Sequence, residues 1–99
     1  MKLRLLTSAF YDLEAGRDFY ERQGGGLGGY FLDSLFSDID SLVLYSGIHR
    51  QVFGFHRLLS KRFPYAIYYQ IETDDVVVYR VLDCRQNPRK TRAALKSGS

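Results

Sequence analysis

The sequence is poor in the residues that several common kinds of site require. It contains one cysteine, Cys84, which excludes an internal disulfide and is too few for a thiolate zinc site. No apolar run approaches the roughly 20 residues of a membrane span. The opening segment, Met1–Thr7, lacks the apolar core and the small-residue cleavage site of a signal peptide. We therefore expect a cytoplasmic protein whose first residues form a strand.

Motifs for catalysis and metal binding are also missing. His49 and His56 are seven residues apart across an element boundary, which is not a spacing of metal ligands. No serine lies in a Gly-x-Ser-x-Gly motif of the nucleophile-elbow type. We expect both histidines to be ordinary surface or core residues and Cys84 to act as a small hydrophobic residue. No metal and no cofactor are expected.

The chain has the size of one domain, and its charge is unevenly distributed along it. Residues 1–49 carry four basic and seven acidic residues, a balance of −3. Residues 50–99 carry ten basic and four acidic residues, a balance of +6. The asymmetry favours an anionic partner for the second half, although a solvated basic surface explains it equally well.

Two helices are predicted in the first half. The first covers Ala9–Arg22, with Thr7 and Ser8 as candidate capping residues. Its apolar positions have helical spacing, and they are Ala9, Leu13, Gly16 and Tyr20, with Phe10 and Phe19 beside them. The second covers Tyr30–Tyr45. Its stripe is Phe31, Leu35, Ile39 and Leu42, widened by Leu32, Phe36 and Val43, with Asp33, Asp38 and Asp40 on the outer side.

A glycine-rich segment at positions 24–29 separates these helices. Gly24, Gly26 and Gly29 match the spacing of a dinucleotide-binding loop, but that loop must follow a strand. Here a helical pattern precedes the glycines. We therefore interpret them as a flexible turn between two antiparallel helices.

The pattern changes to a period of two in the second half. Val52–Ser60, Tyr65–Glu72 and Val76–Cys84 are predicted strands, and the segment from Thr73 to Asp75 closes a tight hairpin. The predicted fold is α+β with the order β-α-α-β-β-β. Its helical hairpin packs on one face of a small, mainly antiparallel four-stranded sheet.

The end of the chain is predicted to differ from the rest. Asn87 is a plausible N-cap and Pro88 a suitable first helical residue, so the basic residues after them either form a short helix or stay disordered. Ser97–Ser99 is expected to be a disordered end. We place the domain at residues 1–88 and the basic tail at residues 89–99.

Three segments in this order resemble the RelE/ParE superfamily of bacterial toxins, and the ParE-like branch more closely. The first is Ala9-Phe10-Tyr11-Asp12-Leu13-Glu14-Ala15, with Phe19-Tyr20-Glu21 further along the same helix. The second is His56-Arg57-Leu58-Leu59 leading into Phe63-Pro64-Tyr65-Ala66-Ile67-Tyr68-Tyr69. The third is Val76-Val77-Val78-Tyr79-Arg80-Val81-Leu82 followed by Cys84-Arg85-Gln86-Asn87-Pro88. The resemblance spans residues 2 to about 88.

The resemblance implies a toxin that a co-expressed antitoxin keeps inactive. It also implies that an otherwise disordered antitoxin segment covers apolar and basic surface of this chain. The superfamily has two branches with different targets: RelE-like members cut messenger RNA on the ribosome, whereas ParE-like members poison DNA gyrase.

Metal-free RNA cleavage requires a base for the 2′-hydroxyl, cations for the phosphate and an acid for the leaving oxygen. For such a nuclease, the catalytic candidates are His56, Arg57, Lys61, Arg80 and Arg85. Successive strand residues point to opposite faces, so His56 and Arg57 cannot line one surface unless the strand is bulged.

The acid is the weak point of the nuclease hypothesis. In the RNA-cleaving branch an aromatic residue or a histidine typically lies at or beyond the end of the last strand, and here none follows Cys84. The alternative acids are Tyr65, Tyr68 and Tyr69, although a strand this hydrophobic favours packing them in the core.

We therefore favour a ParE-like toxin that inhibits DNA gyrase by binding, without chemistry of its own. The candidate target-binding residues are all basic, and they are Arg57, Lys61, Arg62, Arg80, Arg85, Arg89, Lys90 and Arg92. Two alternatives stay open: a ribosome-dependent messenger RNA endonuclease with a diverged site, and a degenerate toxin that only binds its antitoxin.

Overall fold

The computed structural model describes residues 2–97, and the side chains of residues 2–96. This part of the chain forms five strands and four helices. In order they are β1 (Lys2–Leu5), α1 (Thr7–Glu21), α2 (Leu27–Asp40), α3 (Leu42–Tyr45), β2 (Gln51–Val52), β3 (Phe55–Leu59), β4 (Tyr65–Glu72), β5 (Asp75–Asp83) and α4 (Pro88–Ser97). The predicted α+β class is confirmed.

The strands form one mixed sheet in the order β1-β5-β4-β3-β2. β1 runs parallel to β5, and the other neighbouring pairs are antiparallel. The prediction of four strands is wrong, because the segment predicted as Val52–Ser60 reverses direction. At Phe53 and Gly54 φ is +55° and +85°, which is typical of a two-residue type I′ turn, so this segment forms the β2–β3 hairpin.

β5 extends beyond β1, and α1 supplies hydrogen-bond partners for the edge that β1 leaves open. The Ser8 hydroxyl donates to the carbonyl of Tyr79 at 2.7 Å. The Val81 N–H donates to the Asp12 carboxylate at 2.9 Å. The predicted cap at Thr7 and Ser8 is wrong, because both residues lie inside α1 and the N-cap is Leu6, without a side-chain capping bond. The hydroxyl of Ser8 contacts the sheet instead.

The turn between α1 and α2 is built around one carboxylate. Glu21 accepts hydrogen bonds from the backbone N–H groups of Gly26 at 3.1 Å and Gly28 at 2.9 Å. These bonds lower the pKa of Glu21. Gly26 has φ of +87°, a conformation that favours glycine, and a β-carbon at Gly28 would lie 2.8 Å from the Arg17 carbonyl oxygen. The glycines therefore form a defined turn, with α2 beginning three residues before the predicted start.

The predicted second helix is interrupted near its end. The Ser41 hydroxyl donates to the Asp38 carbonyl at 2.6 Å where α2 gives way to the single turn of α3. The prediction that Asp38 faces outward is wrong, because its side chain is buried. Its carboxylate accepts hydrogen bonds from the Ser60 hydroxyl at 2.7 Å and from the Lys61 N–H at 3.3 Å, and so ties α2 to the β3–β4 connection.

The main core lies between the helical hairpin and one face of the sheet. Its buried members are Ala9, Leu13, Phe31, Leu35, Ile39, Leu42, Tyr65, Ile67, Tyr69, Val76, Val78 and Val81. The two predicted stripes are thus confirmed, with Tyr20 half-buried and stacked on Phe31 at 5.2 Å between ring centroids. Val43 is exposed, contrary to its predicted place in the stripe, because it belongs to α3.

The opposite face of the sheet is partly covered by α4. Asn87 accepts a hydrogen bond from the Arg89 N–H at 2.8 Å, as expected of an N-cap, and Pro88 is the first helical residue. The buried members of this second cluster are Ala66, Tyr68, Leu82 and Leu95. The predicted disordered end starts one residue too early, because Ser97 is the last residue of α4. Gly98 and Ser99 lie outside the described residues.

Candidate functional site

His56 and Arg57 lie on opposite faces of the sheet, as the alternation of a strand requires. The imidazole of His56 faces the helical hairpin, where it stacks on Tyr69 at 5.0 Å between centroids. Its Nδ1 lies 2.8 Å from the carbonyl oxygen of His49. Arg57 pairs with Tyr68 in the β3–β4 register, and both side chains line one cleft on the α4 face. These two catalytic candidates therefore do not share a surface.

The two histidines hold the loop before β2 against the sheet. The Tyr69 hydroxyl accepts a hydrogen bond from the Gly47 N–H at 2.9 Å and lies 2.5 Å from Nδ1 of His49. Burial lowers the pKa of His49, and the nearby His56 lowers it further. A neutral His49 accepts the phenolic proton at Nδ1. Both histidines thus make contacts that hold this loop in place.

Arg80 is held by an internal ion pair instead of facing solvent. Its Nε and Nη2 donate to the two carboxylate oxygens of Asp12 at 2.7 Å and 2.8 Å. Its Nη1 donates to the Ala94 carbonyl at 3.1 Å. The bond to Asp12 raises the pKa of Arg80. This side chain therefore connects β5, α1 and α4, and three of the five N–H groups of its guanidinium donate to partners within the chain.

Arg85 is also paired, but on the surface. Its guanidinium donates to both carboxylate oxygens of Asp83, at 2.9 Å and 2.7 Å. These hydrogen bonds hold the pKa of Asp83 below its ordinary value. Roughly half of the Arg85 side chain is exposed, so it is accessible to a partner although its charge is partly compensated.

Lys61 and Arg62 lie in the connection between β3 and β4, at the end of the molecule near the start of α2. Both side chains are exposed. The guanidinium of Arg62 lies over the ring of Tyr30, 6.0 Å from its centroid, in a cation–π arrangement. This pair of cations is therefore associated with the helical hairpin.

The remaining basic candidates lie on α4. This helix carries Arg89, Lys90, Arg92 and Lys96, all exposed, and has no acidic residue. Within residues 2–97 the ion pairs join Arg4 to Glu72, Arg17 to Asp18, Arg80 to Asp12 and Arg85 to Asp83. None of them involves a basic side chain of α4. This helix therefore presents uncompensated positive charge.

A cleft of about 170 Å³ lies between β3 and the start of α4. Its lining residues are Val52, Phe53, Arg57, Tyr68, Cys84, Gln86, Pro88 and Thr91. Burial raises the pKa of both the Tyr68 phenol and the Cys84 thiol, so both groups keep their protons at neutral pH. The cleft thus combines one cation with one phenol, and the thiol is not activated as a nucleophile.

The tyrosines considered as alternative acids are all buried. Burial raises the pKa of Tyr65 to about 12. Tyr69 is engaged with Gly47 and His49, as described above, whereas Tyr68 is the one that borders a cleft. The last aromatic residue, Tyr79, donates its hydroxyl to Glu72, and this bond raises the pKa of Tyr79. Only Tyr68 therefore combines a phenol with a nearby arginine and an open cleft.

Sequence reasoning missed the aromatic residues at the β2–β3 hairpin. Phe53 is at the tip of this hairpin, and Phe55 begins β3. Together with Arg92, Leu95 and Lys96 of α4 they line a second cleft, of about 260 Å³. The available signal was Gly54, since a glycine inside a strand pattern often marks a bulge or a turn.

Two further properties concern the described part of the chain. Across residues 2–97, no His, Cys, Asp and Glu side chains gather in groups of three or more that could hold a metal ion. Nor does any helix in that range have the length and apolar character needed to cross a membrane.

One family model matches the sequence of this chain, and a solved structure is similar to it in fold. The sequence model of the family described as "ParE toxin of type II toxin-antitoxin system, parDE" matches residues 3–88. A solved structure titled "Chromosomal ParDE TA system from P. aeruginosa" is similar in fold, with a TM-score of 0.76 and 21% sequence identity. The similarity covers 82% of this chain and 92% of that one. No curated protein sequence matches the chain.

Proposed function

Because the chain belongs to the ParE family of toxins of type II toxin–antitoxin systems, we propose that it inhibits DNA gyrase by binding, without catalysing a reaction itself. Family membership brings with it an antitoxin partner. The gyrase target and the lack of chemistry are the proposed part. One observation carries the proposal: the catalytic candidates do not converge on a single surface.

The separation of these candidates supports the proposal, because concerted proton transfer needs its groups close together. A base and its neighbouring cations must lie within hydrogen-bond reach of one phosphodiester. His56 faces the helical hairpin, whereas Arg57 faces α4. Arg80 is engaged by Asp12 and the Ala94 carbonyl, which accept hydrogen bonds from all three of its side-chain nitrogens. What remains exposed is a basic surface that is suited to contact with a macromolecular partner.

A supercoiling assay with purified gyrase and the purified toxin tests the proposal. We expect the wild-type toxin to reduce supercoiling and to trap cleaved DNA. Charge reversal of Arg89, Lys90 and Arg92 to glutamate should abolish the inhibition by removing contacts. His56→Asn should retain it, because asparagine keeps a hydrogen-bond donor for the His49 carbonyl and no proton transfer is needed.

The assay in cells separates the two branches of the superfamily. Expression of the toxin alone should arrest growth, induce the DNA-damage response and leave messenger RNA intact. Primer extension that detects in-frame cuts in translated messages, with intact DNA, would contradict the gyrase target. Harmless expression of the folded chain would instead favour a degenerate toxin that only binds its antitoxin.

One observation favours an RNase as the second candidate. Arg57 and Tyr68 are cross-strand partners that line the same open cleft, where the arginine can contact a phosphate and the protonated phenol can supply an acid. On this hypothesis Tyr68→Phe lowers message cleavage by about 100-fold, the usual scale for a general acid. On the gyrase hypothesis the same substitution leaves toxicity unchanged.

A further inference from the structure

The tip of the β2–β3 hairpin holds an aromatic side chain in a conformation that aromatic residues rarely adopt. Phe53 has φ of +55°, and this region favours glycine, asparagine and aspartate. The turn is nevertheless fixed, because Gln70 donates from its side-chain amide to the Gly54 carbonyl at 3.0 Å. About 45% of Phe53 remains exposed. A strained, solvent-facing aromatic residue is typical of a functional position rather than of a folding requirement.

Phe53 forms one wall of the cleft of about 260 Å³ that faces α4. The apolar part of its lining consists of Phe53, Phe55 and Leu95. The basic part consists of Arg92 and Lys96, one helical turn apart. The guanidinium of Arg92 lies 5.9 Å from the centroid of the Phe53 ring. The cleft thus combines an apolar anchor site with two cations.

We propose that this cleft binds an acidic segment of a partner protein, which inserts one large apolar side chain between Phe53 and Leu95 and places carboxylates against Arg92 and Lys96. Charge complementarity supports this occupant, since α4 carries four basic residues and no ion pair of the described chain compensates them. The volume is below the usual range of small-molecule sites, which is about 300–1,000 Å³, and suits an anchor side chain. The inference is independent of whether gyrase is the target.

A polypeptide fits the cleft better than a nucleic acid does. The lining contains no amide or carboxylate side chain, so Arg92 and Lys96 are the only groups in it that could read the edges of bases. The exposed face of the most accessible ring is already approached by the Arg92 guanidinium, which leaves less room for a stacked base. Binding of a nucleic-acid strand at the same residues is therefore the outcome against which the proposal is tested.

An NMR titration of the isotope-labelled full chain tests the proposal with defined probes. The first probe is a ten-residue peptide of glutamates with one central phenylalanine. In the second peptide lysines replace the glutamates, and in the third an alanine replaces the phenylalanine. The fourth probe is the oligonucleotide dT10. We expect the first peptide to shift the amide signals of Phe53, Phe55 and Leu95. The lysine and alanine peptides should not shift them, and dT10 should leave the same signals in place.

Two variants separate recognition from stability. Phe53→Asn should weaken binding of the glutamate peptide by about tenfold and raise the thermal midpoint, because asparagine tolerates positive φ. Phe10→Asn removes an equally exposed phenylalanine from α1 and should leave binding unchanged. The double variant Arg92→Glu/Lys96→Glu should weaken binding about tenfold, the effect of two exposed ion pairs. The control double variant Lys2→Glu/Arg22→Glu changes the net charge by the same amount outside the cleft and should not weaken binding.

The proposal is overturned by any of three results. The first is that the glutamate peptide does not shift the NMR signals of the cleft. The second is that dT10 shifts them as strongly as the peptide does. The third is that Phe53→Asn binds the peptide as tightly as the wild type although its thermal midpoint rises. The gyrase assay is a separate measurement, so failure here leaves the proposed target standing, and the reverse also holds.

Discussion

The two faces of the sheet are built differently. The face under the helical hairpin contacts a continuous core of twelve buried residues, with Phe31, Tyr65 and the half-buried Tyr20 and Phe63 packed ring against ring. The cluster under α4 has only four buried residues and two open clefts beside them. The difference separates stability from recognition: the first face supplies most of the apolar burial, whereas the second leaves accessible the surface that a partner can use.

The largest expected effect follows from comparing one leucine on each face. Leu35→Ala should reduce the free energy of unfolding by about 2–5 kcal/mol, because Leu35 is fully buried in the main core and its removal leaves a cavity. Leu95→Ala should cost at most about 2 kcal/mol, the lower end of the same range, because Leu95 already borders a cleft. Urea unfolding followed by circular dichroism measures both. Equal losses would contradict the contrast between the faces.

The next effect concerns the ion pair that joins the two faces. Asp12→Ala should cost about 3 kcal/mol, because it leaves Arg80 without its counter-charge and the Val81 N–H without its acceptor. The side chains of Asp12 and Arg80 are 12% and 19% exposed, so little solvent screens the loss. The same unfolding measurement applies. The matched control is Asp18→Ala, which breaks an exposed pair with Arg17 and should change stability by less than about 1 kcal/mol.

The smallest expected effect is a pH dependence that comes from the helical-hairpin face. Burial lowers the pKa of His49 below its ordinary value of 6.5. The unfolded chain therefore takes up this proton at a higher pH than the folded chain does. Stability from this group is complete above about pH 7 and is lost as the pH falls below 6.5 towards the folded pKa.

Urea midpoints between pH 7.5 and pH 5, measured on the wild type and on His49→Asn, isolate this contribution. Asparagine can still accept the hydrogen bond from the Tyr69 hydroxyl, but it does not titrate in this range. We expect the midpoint of the wild type to fall more steeply than that of the variant. Parallel curves would show that His49 does not contribute to the pH dependence.

The parts of the fold that depend on local periodicity were predictable from the sequence. The helical stripes around Leu13 and Leu35 and the two long strands repeat at intervals that neighbouring residues define. The separation of His56 from Arg57 also follows from strand alternation alone. What was not predictable depends on contacts distant in sequence. The sequence around Arg80 does not indicate an ion pair, because its partner Asp12 lies in α1 and is brought to the open edge of β5 only by the fold.

The recognition surface was the least predictable part. Phe53 matches the alternation of a strand, and nothing local forces a phenylalanine to adopt positive φ. The turn forms because Gly54 permits it and because Gln70 of β4 accommodates the reversed chain. Asp38 was mispredicted for the same reason. Its position on the helix predicts exposure, but the β3–β4 connection, which is distant in sequence, covers it.

The parallel pairing of β1 with β5 also determines when the sheet is completed during synthesis. Lys2 pairs with Asp75 and Leu5 pairs with Val78. The first strand therefore cannot pair until almost the whole domain has been synthesised. Contacts of such sequence separation form late, because the entropy of closing a long loop opposes them. The contacts of α1 with the sheet also form late, because Asp12 accepts its hydrogen bonds from Arg80 and Val81. A nascent chain therefore cannot complete this sheet before β5 has been synthesised, and for a toxin this order delays activity until translation of the domain is nearly complete.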